Sequence, residues 1–396
     1  MTEPDNRFER RYGFARNDVT LGNWRTRPYS SWSFQNVSEL VPSAEISTSA
    51  TTEWETLEDL RSLLPAQIEV GNGRETVSQF LERSNTDALA IMKSGTFVGD
   101  YASPTANPTN PHIVFSITKS LTAILAGILQ DEGLLDPAKL VTHCVPEAKG
   151  SAYEDATVRQ VLDMRVSVDF VEDYHEPEGD FTRYRRAMLW NPLRAGDKPE
   201  TLQEVILSLK KAAEPHGGAF RYYSPNSDLL GIILERASGI RYPDLFREKL
   251  WIPLRAKGRC TVTVDRSGMA RGASGVSLTA RDLARIGEMM RNGGMVGSNA
   301  IVTERWVLDT VNGGDRHAWK AGDFSHMLKD GSYRSKWYQS GFANSAFMAI
   351  GIHGQWLYVD PKREVVIVQL ASRHAPEDAP LSQQVLRFFQ LITEMV

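Results

Sequence analysis

Short apolar runs bounded by turn residues predict β-strands in two separate parts of the chain. Two runs lie before residue 102 and three lie near the C-terminus, at residues 87–93, 96–101, 346–352, 355–359 and 364–371. Turns containing glycine or proline separate neighbouring runs within each part. Because such short connections join strands that lie side by side, they favour an antiparallel sheet.

Helical periodicity dominates much of the remaining sequence. Apolar residues recur at three- and four-residue spacing in six stretches, at residues 74–83, 155–164, 201–213, 228–237, 279–291 and 381–396. A longer apolar segment, residues 121–129, predicts a buried helix. We therefore expect an α+β fold of the α/β sandwich type, in which helices flank an antiparallel sheet and a mostly helical domain is inserted.

The order of these elements divides the chain into three parts. Residues 1–64 alternate polar clusters with aromatic residues, which predicts an arm packed on the sheet domain; contact with substrate is the alternative. Residues 65–115 and 266–396 carry the strands and form the sheet domain. Residues 116–265 form the helical domain, and we expect the active site at the interface of the two domains.

The composition is that of a globular protein, with 41% hydrophobic and 24% charged residues. A net charge of −4 and a pI of about 6.1 argue against a nucleic-acid or anionic-membrane partner. Cys144 and Cys260 form neither a metal-type cluster nor a disulfide framework. The longest apolar runs are too short to cross a bilayer, and Arg10-Arg11 has no apolar segment behind it. These features predict a cytoplasmic protein.

The junction at residues 112–120 carries the first candidate chemistry. An apolar run stops at Ser116, a helix-prone segment begins at once, and Lys119 follows the serine by three positions. Residues three apart share a helix face, so the lysine amine can reach the serine hydroxyl. Burial beside the positive end of a helix lowers a lysine pKa, which would let Lys119 act as the base for a nucleophilic Ser116.

Two observations keep other interpretations of this pattern open. Ser116 can be a helix N-cap, with Lys119 as a surface lysine. A second Ser-x-x-Lys copy, Ser208 to Lys211, lies in a stretch that we interpret as the exposed face of an ordinary helix. Only Ser116 lies where a strand gives way to a buried helix, so it is the candidate nucleophile.

Two later junctions carry further candidate groups. Tyr222 and Tyr223 lie in a loop ahead of a helix, where either ring can supply a polar group to a site or pack structurally. In residues 351–355, glycines leave room for a substrate, and a strand N–H can serve as one donor of an oxyanion hole. An ordinary hairpin turn is the alternative there.

The order of the three junctions resembles the serine β-lactamase and penicillin-binding-protein fold family over residues 75–396. In that family a glycine follows the catalytic tyrosine by nine positions. Gly231 has this spacing from Tyr222, which implies that Tyr222 rather than Tyr223 is catalytic, and Ser224 then stands where the family often has asparagine. The cationic residue of the family's third motif is absent, which argues against β-lactamase or D-Ala-D-Ala peptidase activity.

Finer motifs resemble the 6-aminohexanoate-dimer hydrolases, which are similar to carboxylesterases of the same fold. The motifs are Pro146-Glu147, residues 155–164, Glu172-Asp173-Tyr174 and Gly351-Ile352-His353-Gly354-Gln355. The resemblance implies that Tyr174 donates a hydrogen bond near the scissile amide nitrogen, and that Trp337 or Tyr338 lines the substrate cleft. It also implies a homodimer.

The resemblance leaves a set of expected substrate-binding residues, namely Tyr174, Ser224, Trp337, Tyr338, Gly351 and His353. Side chains alternate across a strand, so His353 shapes the cleft or packs structurally if Ile352 offers its backbone to the site. For Tyr174 the alternative is a surface tyrosine in the acidic run at residues 172–180. That run can attract a substrate amine or form a solvated loop.

We therefore expect a serine hydrolase that cleaves small linear amides of the 6-aminohexanoate-dimer type and short-chain esters. An acyl-enzyme would form on Ser116, with Lys119 as base, Tyr222 as proton relay, and the N–H groups of Ser116 and Ile352 as oxyanion hole. No zinc motif is present in the sequence and no cofactor is needed. The alternatives are a carboxylesterase without amide-oligomer activity and a non-catalytic, penicillin-recognising binding protein.

Overall fold

The structure, a computed structural model, describes residues 7–48, 54–55, 57, 60–71, 73–174, 176 and 178–396. Its α-helices are α1 Arg7–Tyr12, α2 Ser30–Ser33, α3 Val77–Arg83, α4 Ile117–Asp131, α5 Val141–Cys144, α6 Val158–Leu162, α7 Asp180–Ala187, α8 Leu202–Ser208, α9 Pro225–Ser238, α10 Tyr242–Phe246, α11 Ala280–Arg291, α12 Glu304–Asn312, α13 Arg316–Lys320 and α14 Ala379–Met395. Its strands are β1 Ser43–Ile46, β2 Gln67–Glu69, β3 Arg74–Thr76, β4 Thr86–Lys93, β5 Thr96–Ala102, β6 His112–Ile113, β7 Cys260–Thr263, β8 Val276–Leu278, β9 Met295–Val296, β10 Asn299–Ala300, β11 Ser332–Arg334, β12 Trp337–Gln339, β13 Phe347–Gly351, β14 Gln355–Asp360 and β15 Val365–Ala371.

The predicted antiparallel sheet is confirmed and has seven strands, in the order β11-β12-β13-β14-β15-β4-β5. The five predicted runs form β4, β5, β13, β14 and β15. The sequence did not predict β11 and β12, which are only three residues each. The turn between them consists of Ser335 and Lys336, which both have positive φ angles. Most turns of this kind carry glycine or asparagine there, and this hairpin lacks that sequence signal.

Helices cover both faces of the seven-stranded sheet. Helix α11 packs against β4, β14 and β15. Gly287 allows this approach, because a Cβ there would lie 2.6 Å from Val366 Cγ1 and 2.7 Å from Leu357 Cδ1. On the other face α3 and α14 meet through Phe80 and Phe388, whose ring centroids are 4.5 Å apart. Because both faces are covered, all seven residues of β15 are buried, and six of the seven are apolar.

The helical region surrounds α4, in which thirteen of fifteen residues are buried. Helix α9 packs against α4 from one side, and strands β13 and β14 of the sheet also contact α4. A helix enclosed in this way is apolar around most of its circumference, as the sequence of residues 121–129 indicated. The first turn of α4 therefore lies where helices and sheet meet. None of the described helices combines the length and the apolar character that crossing a bilayer requires.

The second Ser-x-x-Lys copy lies at a helix end, which corrects its interpretation as one exposed helix face. Helix α8 begins with a capping box between Thr201 and Glu204 and stops at Ser208. The next residue, Leu209, is extended, with φ −62° and ψ 143°. Lys211 instead forms a surface ion pair with Asp155, with Nζ and Oδ2 2.5 Å apart.

The N-terminal arm packs at the junction between the sheet and the helices, and not only on the sheet domain. Its strand β1 pairs with β7 in a four-stranded sheet of order β1-β7-β8-β6. Trp24 of the arm stacks on Phe115, with ring centroids 6.4 Å apart, and its Nε1 donates to the Trp190 carbonyl oxygen at 3.1 Å. The arm thereby reaches the residue that precedes Ser116.

Candidate active site

Ser116 follows a sharp turn between β6 and α4. Phe115 adopts a left-handed conformation with φ 43°, and Ser116 is the first residue in helical conformation. A positive φ is unfavourable for a phenylalanine, and surrounding packing must hold it in place. Three aromatic rings do so at centroid distances of 6.4, 5.0 and 5.8 Å, namely Trp24, Phe34 and Trp190. The serine that follows lines a pocket of the protein.

Lys119 lies in the first turn of α4 and is only 1% exposed. Its Nζ lies 2.9 Å from Ser116 Oγ, 3.0 Å from Ser224 Oγ and 3.1 Å from the Ala273 carbonyl oxygen. The amine and the hydroxyl that the sequence placed on one helix face are thus within hydrogen-bonding distance. Lys119 is not a surface lysine, and Ser116 makes no side-chain cap bond to α4.

The surroundings of Lys119 lower the pKa of its amine. Burial is the largest cause and brings this pKa to about 8, while the carboxylates of Glu172 and Asp228 raise it and the Arg271 guanidinium lowers it. With a pKa near 8, about a tenth of the amine is neutral at pH 7. A neutral amine can accept a proton, as a general base must.

Ser224 joins Lys119 to a carboxylate. Its Oγ donates to Glu172 Oε1 at 2.7 Å, and its N–H donates to Oε2 at 2.6 Å. The Tyr174 hydroxyl also donates to Glu172 Oε1, at 2.9 Å. Because the Ser224 hydroxyl has a single proton and gives it to Glu172, it accepts from Lys119. A continuous chain of hydrogen bonds therefore runs from Ser116 to Tyr174.

A buried ion pair holds the peptide group that accepts a hydrogen bond from Lys119. Asp228 on α9 is fully buried, and its Oδ1 accepts from the Ala273 N–H at 2.8 Å. Its Oδ2 lies 3.1 Å from Arg271 Nε. These contacts hold the Ala273 peptide, whose carbonyl oxygen accepts from Lys119. The sequence analysis did not single out Asp228, and it named Glu172 only within a motif and the acidic run. Asp228 lies in the first turn of α9 directly after Asn226 and Ser227, so its sequence context gave no distinguishing signal.

Tyr222 lies beside Lys119 and lines the same pocket as Ser116. The Lys119 Nζ is 4.9 Å from its ring centroid, and its backbone N–H donates to Asp323 Oδ2 at 2.8 Å. Burial raises the pKa of Tyr222 well above its ordinary value, so the hydroxyl keeps its proton at neutral pH. Tyr223 packs on the hydrophobic core instead.

The end of β13 approaches the start of α4 at Gly351. A Cβ at this position would lie 2.6 Å from the Val114 carbonyl oxygen and 3.1 Å from Ser116 N, which explains the glycine. The next residue, Ile352, lines the same pocket as Ser116. Within the described part of the chain, neither the Ser116 N–H nor the Ile352 N–H donates to an acceptor. Both are available to a substrate oxygen.

Two pockets meet at this site. The larger has a volume of about 350 Å³, contains Ser116 and Tyr222, and is otherwise mostly apolar. The smaller has a volume of about 180 Å³ and contains Ser224 and Glu172. Three residues line both pockets, namely Tyr174, Ile352 and Pro376. A substrate that reaches both pockets must pass Tyr174.

The structure decides between Trp337 and Tyr338, which the sequence left open. Trp337 is fully buried and packs on Phe347 with ring centroids 5.6 Å apart, whereas Tyr338 lines the larger pocket. Successive residues of a strand point to opposite faces, so the two rings cannot share the cleft. Trp337 is therefore not a cleft residue, and Tyr338 forms a hydrogen bond with Tyr222.

His353 lies at the turn after β13, with φ 60°, and lines the smaller pocket. Its Nδ1 is 2.9 Å from the Arg373 carbonyl oxygen. Burial is the largest cause that lowers the His353 pKa, to about 4, so the ring is neutral at pH 7. It shapes the wall of the pocket without adding charge. Gly351 lines the larger pocket and Ser224 the smaller one.

Comparison with known sequences places this geometry in a family. The sequence profile of the beta-lactamase family matches residues 74–388. The 6-aminohexanoate-dimer hydrolase of Paenarthrobacter ureafaciens is 36% identical over 369 residues, which cover 92% of this chain and 91% of that protein.

Solved structures share the fold. A Bacillus anthracis protein, provisionally named a 6-aminohexanoate-dimer hydrolase, has a TM-score of 0.87 at 23% identity and covers 96% of this chain and 98% of its own. EstCE1, a hydrolase with promiscuous acyltransferase activity, has a TM-score of 0.58 at 15% identity, with coverage of 78% and 96%. Together with the sequence matches, these results show that the chain belongs to the beta-lactamase family and is a serine hydrolase related to the 6-aminohexanoate-dimer hydrolases.

Proposed function

We propose that this protein hydrolyses linear amides and short-chain esters through an acyl-enzyme on Ser116. The observation that carries the proposal is the buried contact between Lys119 Nζ and Ser116 Oγ, 2.9 Å apart at the edge of a substrate-sized pocket. The 36% identical relative is named for the 6-aminohexanoate dimer, which is therefore the first amide to test.

Hydrogen-bond directions support Lys119 as the base. A neutral amine has two N–H donors and one lone pair. The Ala273 carbonyl oxygen can only accept a hydrogen bond, and the Ser224 hydroxyl also accepts because its proton goes to Glu172. The lone pair of Lys119 is then directed at the Ser116 hydroxyl. Ser116 Oγ gives its proton to this lone pair as it attacks the carbonyl carbon of the substrate.

The attack turns the carbonyl oxygen into an oxyanion. We assign its stabilisation to the N–H groups of Ser116 and Ile352, which have no acceptor in the described part of the chain. In acyl-transfer enzymes one such donor contributes roughly 3 kcal/mol to transition-state binding. Gly351 keeps the two N–H groups close, because a side chain there would approach Ser116 N to 3.1 Å.

Collapse of the oxyanion breaks the bond to the leaving group. We assign to Tyr222 the transfer of a proton to the departing amine or alkoxide, with Lys119 returning a proton to Tyr222. Lys119 Nζ lies 4.9 Å from the Tyr222 ring centroid, so the two side chains share one site, and the exchange requires the Tyr222 hydroxyl to approach the amine during the reaction. Tyr174 would donate to the scissile amide nitrogen after its hydroxyl leaves Glu172. Water then attacks the acyl-enzyme, and the same groups act in reverse to release the acid.

The described acidic residues of the 172–180 run give no support to an amine-binding role. Glu172 is the one that lines a pocket, and both of its oxygens accept from Ser224 or Tyr174. Glu178 pairs with Arg194 at the surface. A carboxylesterase that leaves amides uncut is therefore the alternative that the experiment below must separate.

The test compares wild type with Tyr222→Phe on two substrates, p-nitrophenyl butyrate and the linear 6-aminohexanoate dimer. We expect wild type to cleave both. In Tyr222→Phe, amide turnover should fall by about 10²-fold or more and ester turnover by less than about tenfold, because p-nitrophenolate leaves without a proton and an amine does not. Release of p-nitrophenol and of 6-aminohexanoate measures the two rates.

Each other result has a defined meaning. Ester cleavage without amide cleavage would identify a carboxylesterase. Equal losses on the two substrates would remove Tyr222 from the leaving-group step. No turnover of either substrate by wild type would contradict the proposed function.

The activity should rise with pH as Lys119 loses its proton. Burial lowers the Lys119 pKa to about 8, and the neutral amine is the active form, so kcat/KM for the ester should increase about tenfold per unit below pH 8 and level off above it. The measurement is kcat/KM from pH 6 to 10 at constant ionic strength. A profile that stays flat across this range, or falls above pH 7, would show that Lys119 is not the base.

A further inference from the structure

Three arginines line the smaller pocket next to Tyr174. Arg25 comes from the N-terminal arm, Arg185 from α7, and Arg271 from the loop between β7 and β8. Residues far apart in the chain thus bring three guanidinium groups to one cavity of about 180 Å³. Arginine binds carboxylates through paired N–H donors, so this combination points to an anionic ligand.

Two of these guanidinium groups have donors that the protein does not use. Arg271 is 1% exposed, and its Nη1 has no hydrogen-bond partner among the described residues. The guanidinium carbon lies 4.8 Å from the centroid of the Trp190 ring, which holds the group at the pocket wall. Arg185 Nε is also buried without a partner in the described chain. A buried donor without an acceptor is unfavourable, and an acceptor on a ligand would satisfy it.

Arg25 is placed at the same cavity by packing. Its guanidinium lies 5.9 Å from the Trp190 ring centroid and donates to Asn191 Oδ1. Burial, and after it the charges of Arg185 and Arg271, lower the Arg25 pKa to about 9. The three cations therefore repel one another, and with a pKa of about 9 Arg25 keeps its charge at neutral pH.

The carboxylates near the pocket are already engaged. Glu172 lines the wall, but both of its oxygens accept from Ser224 or Tyr174. Asp228 lies behind the wall and pairs with Arg271. Asp173 also acts on Arg185, but it is exposed, so water and salt screen its charge. Positive charge is in excess at the pocket surface.

The smaller pocket lies on the acyl side of the site. Tyr222, which we assign to the leaving group, lines only the larger pocket. A substrate bound with its leaving group beside Tyr222 directs its acyl chain past Tyr174 and Ile352, which line both pockets. Phe181 and Met188 give the smaller pocket apolar walls that suit an aliphatic chain.

We propose that the smaller pocket binds a carboxylate at the end of the acyl chain, so that the preferred substrates are amides and esters of aliphatic dicarboxylic acids. This inference rests on the proposed function, because it needs an acyl group on Ser116. An acyl chain that ends in an ammonium group, as in the 6-aminohexanoate dimer, would meet three like charges in this pocket, so we expect the dimer to be cleaved more slowly than an amide of a dicarboxylic acid. The apolar walls favour an aliphatic carboxylate over a free phosphate.

The test uses three p-nitrophenyl esters that differ only at the end of a six-carbon acyl chain: the half-ester of adipate, the hexanoate and the 6-aminohexanoate. With spontaneous hydrolysis subtracted, kcat/KM of wild type should decrease in that order, by at least about tenfold from first to last, because a charge-assisted hydrogen bond is replaced by repulsion. Arg185→Glu should lower the adipate value by about 30-fold or more, raise the 6-aminohexanoate value, and leave hexanoate within about threefold.

Two further variants keep this test interpretable. Arg25→Gln removes a second cation from the pocket and should lower the adipate value by about tenfold while hexanoate turnover shows that the protein is folded. Arg236→Gln is the matched control. It removes an exposed arginine that pairs with Glu147 about 18 Å along α9 from Ser224, and it should leave the ratio of the three esters unchanged.

The outcomes separate the two proposals. If Ser116 is required for hexanoate turnover but the three esters differ by less than about threefold, in wild type and in Arg185→Glu alike, the carboxylate site is overturned and the proposed function stands. If none of the esters is cleaved, the proposed function fails. The pocket is then tested by thermal unfolding. Free adipate should raise the Tm of wild type more than free hexanoate does, and adipate should leave the Tm of Arg185→Glu unchanged. Equal shifts would overturn the site.

Discussion

Ser116→Ala is expected to lower kcat/KM for esters and amides by at least about 10⁴-fold, because it removes the proposed nucleophile, whose Oγ lies 2.9 Å from the Lys119 amine. Ser224, the other serine near Lys119, already donates its proton to Glu172. The variant should stay folded, because Ser116 makes no side-chain cap bond to α4. Its thermal unfolding midpoint should lie within a few degrees of wild type.

The second Ser-x-x-Lys copy supplies the control for this variant. The Ser208 hydroxyl donates to the Val205 carbonyl oxygen at 2.8 Å, and Ser208 ends a helix instead of beginning one. Ser208→Ala should therefore leave turnover unchanged. Mass spectrometry of wild type during turnover of a slow ester should find the acyl group on Ser116. More than about one per cent of wild-type activity in Ser116→Ala would assign the nucleophile elsewhere.

Lys119→Met is expected to lower kcat by about 10³-fold or more, because methionine fills a similar volume but cannot take the Ser116 proton. The remaining activity should also lose the rise centred near pH 8 that the lowered Lys119 pKa predicts for wild type. KM should change little, since Lys119 itself lines neither of the two pockets described.

The stability of Lys119→Met should stay close to that of wild type. Loss of Nζ removes a donor from the Ala273 carbonyl oxygen, which costs about 1–3 kcal/mol for a buried acceptor. Removal of an amine that is 1% exposed offsets much of this cost, because burying a charge is itself unfavourable. Lys211→Met is the control: it breaks a surface ion pair and should change neither rate nor pH profile. A Lys119→Met protein that keeps the rise near pH 8 would show that another group is the base.

Local sequence patterns were sufficient for five of the seven strands of the central sheet and for the Ser116 junction. Apolar runs and turn residues act over a few positions, so they located β4, β5, β13, β14 and β15. The three-residue spacing of Ser116 and Lys119 on a helix likewise fixes which side chains can touch. Glycine at residue 351 signalled a close backbone approach, which the structure locates at Ser116 N.

Other features escaped prediction because the local signal was weak or ambiguous. β11 and β12 are short, and their turn at Ser335 and Lys336 has no glycine. Trp337 and Tyr338 are both aromatic, and only the register with β13 shows which one faces the pocket. The second Ser-x-x-Lys copy looked helical throughout, yet α8 ends at Ser208.

The sequence by itself determined the helix-start geometry that pairs Ser116 with Lys119, because neighbours along one helix interact wherever the helix lies. Only the tertiary structure decided that Glu172 would orient Ser224 and that Arg25 of the N-terminal arm would meet Arg185 and Arg271. These groups come from separate segments, and no periodicity links them. Their meeting depends on how the arm, the helices and the sheet pack together, which is a property of the whole folded chain.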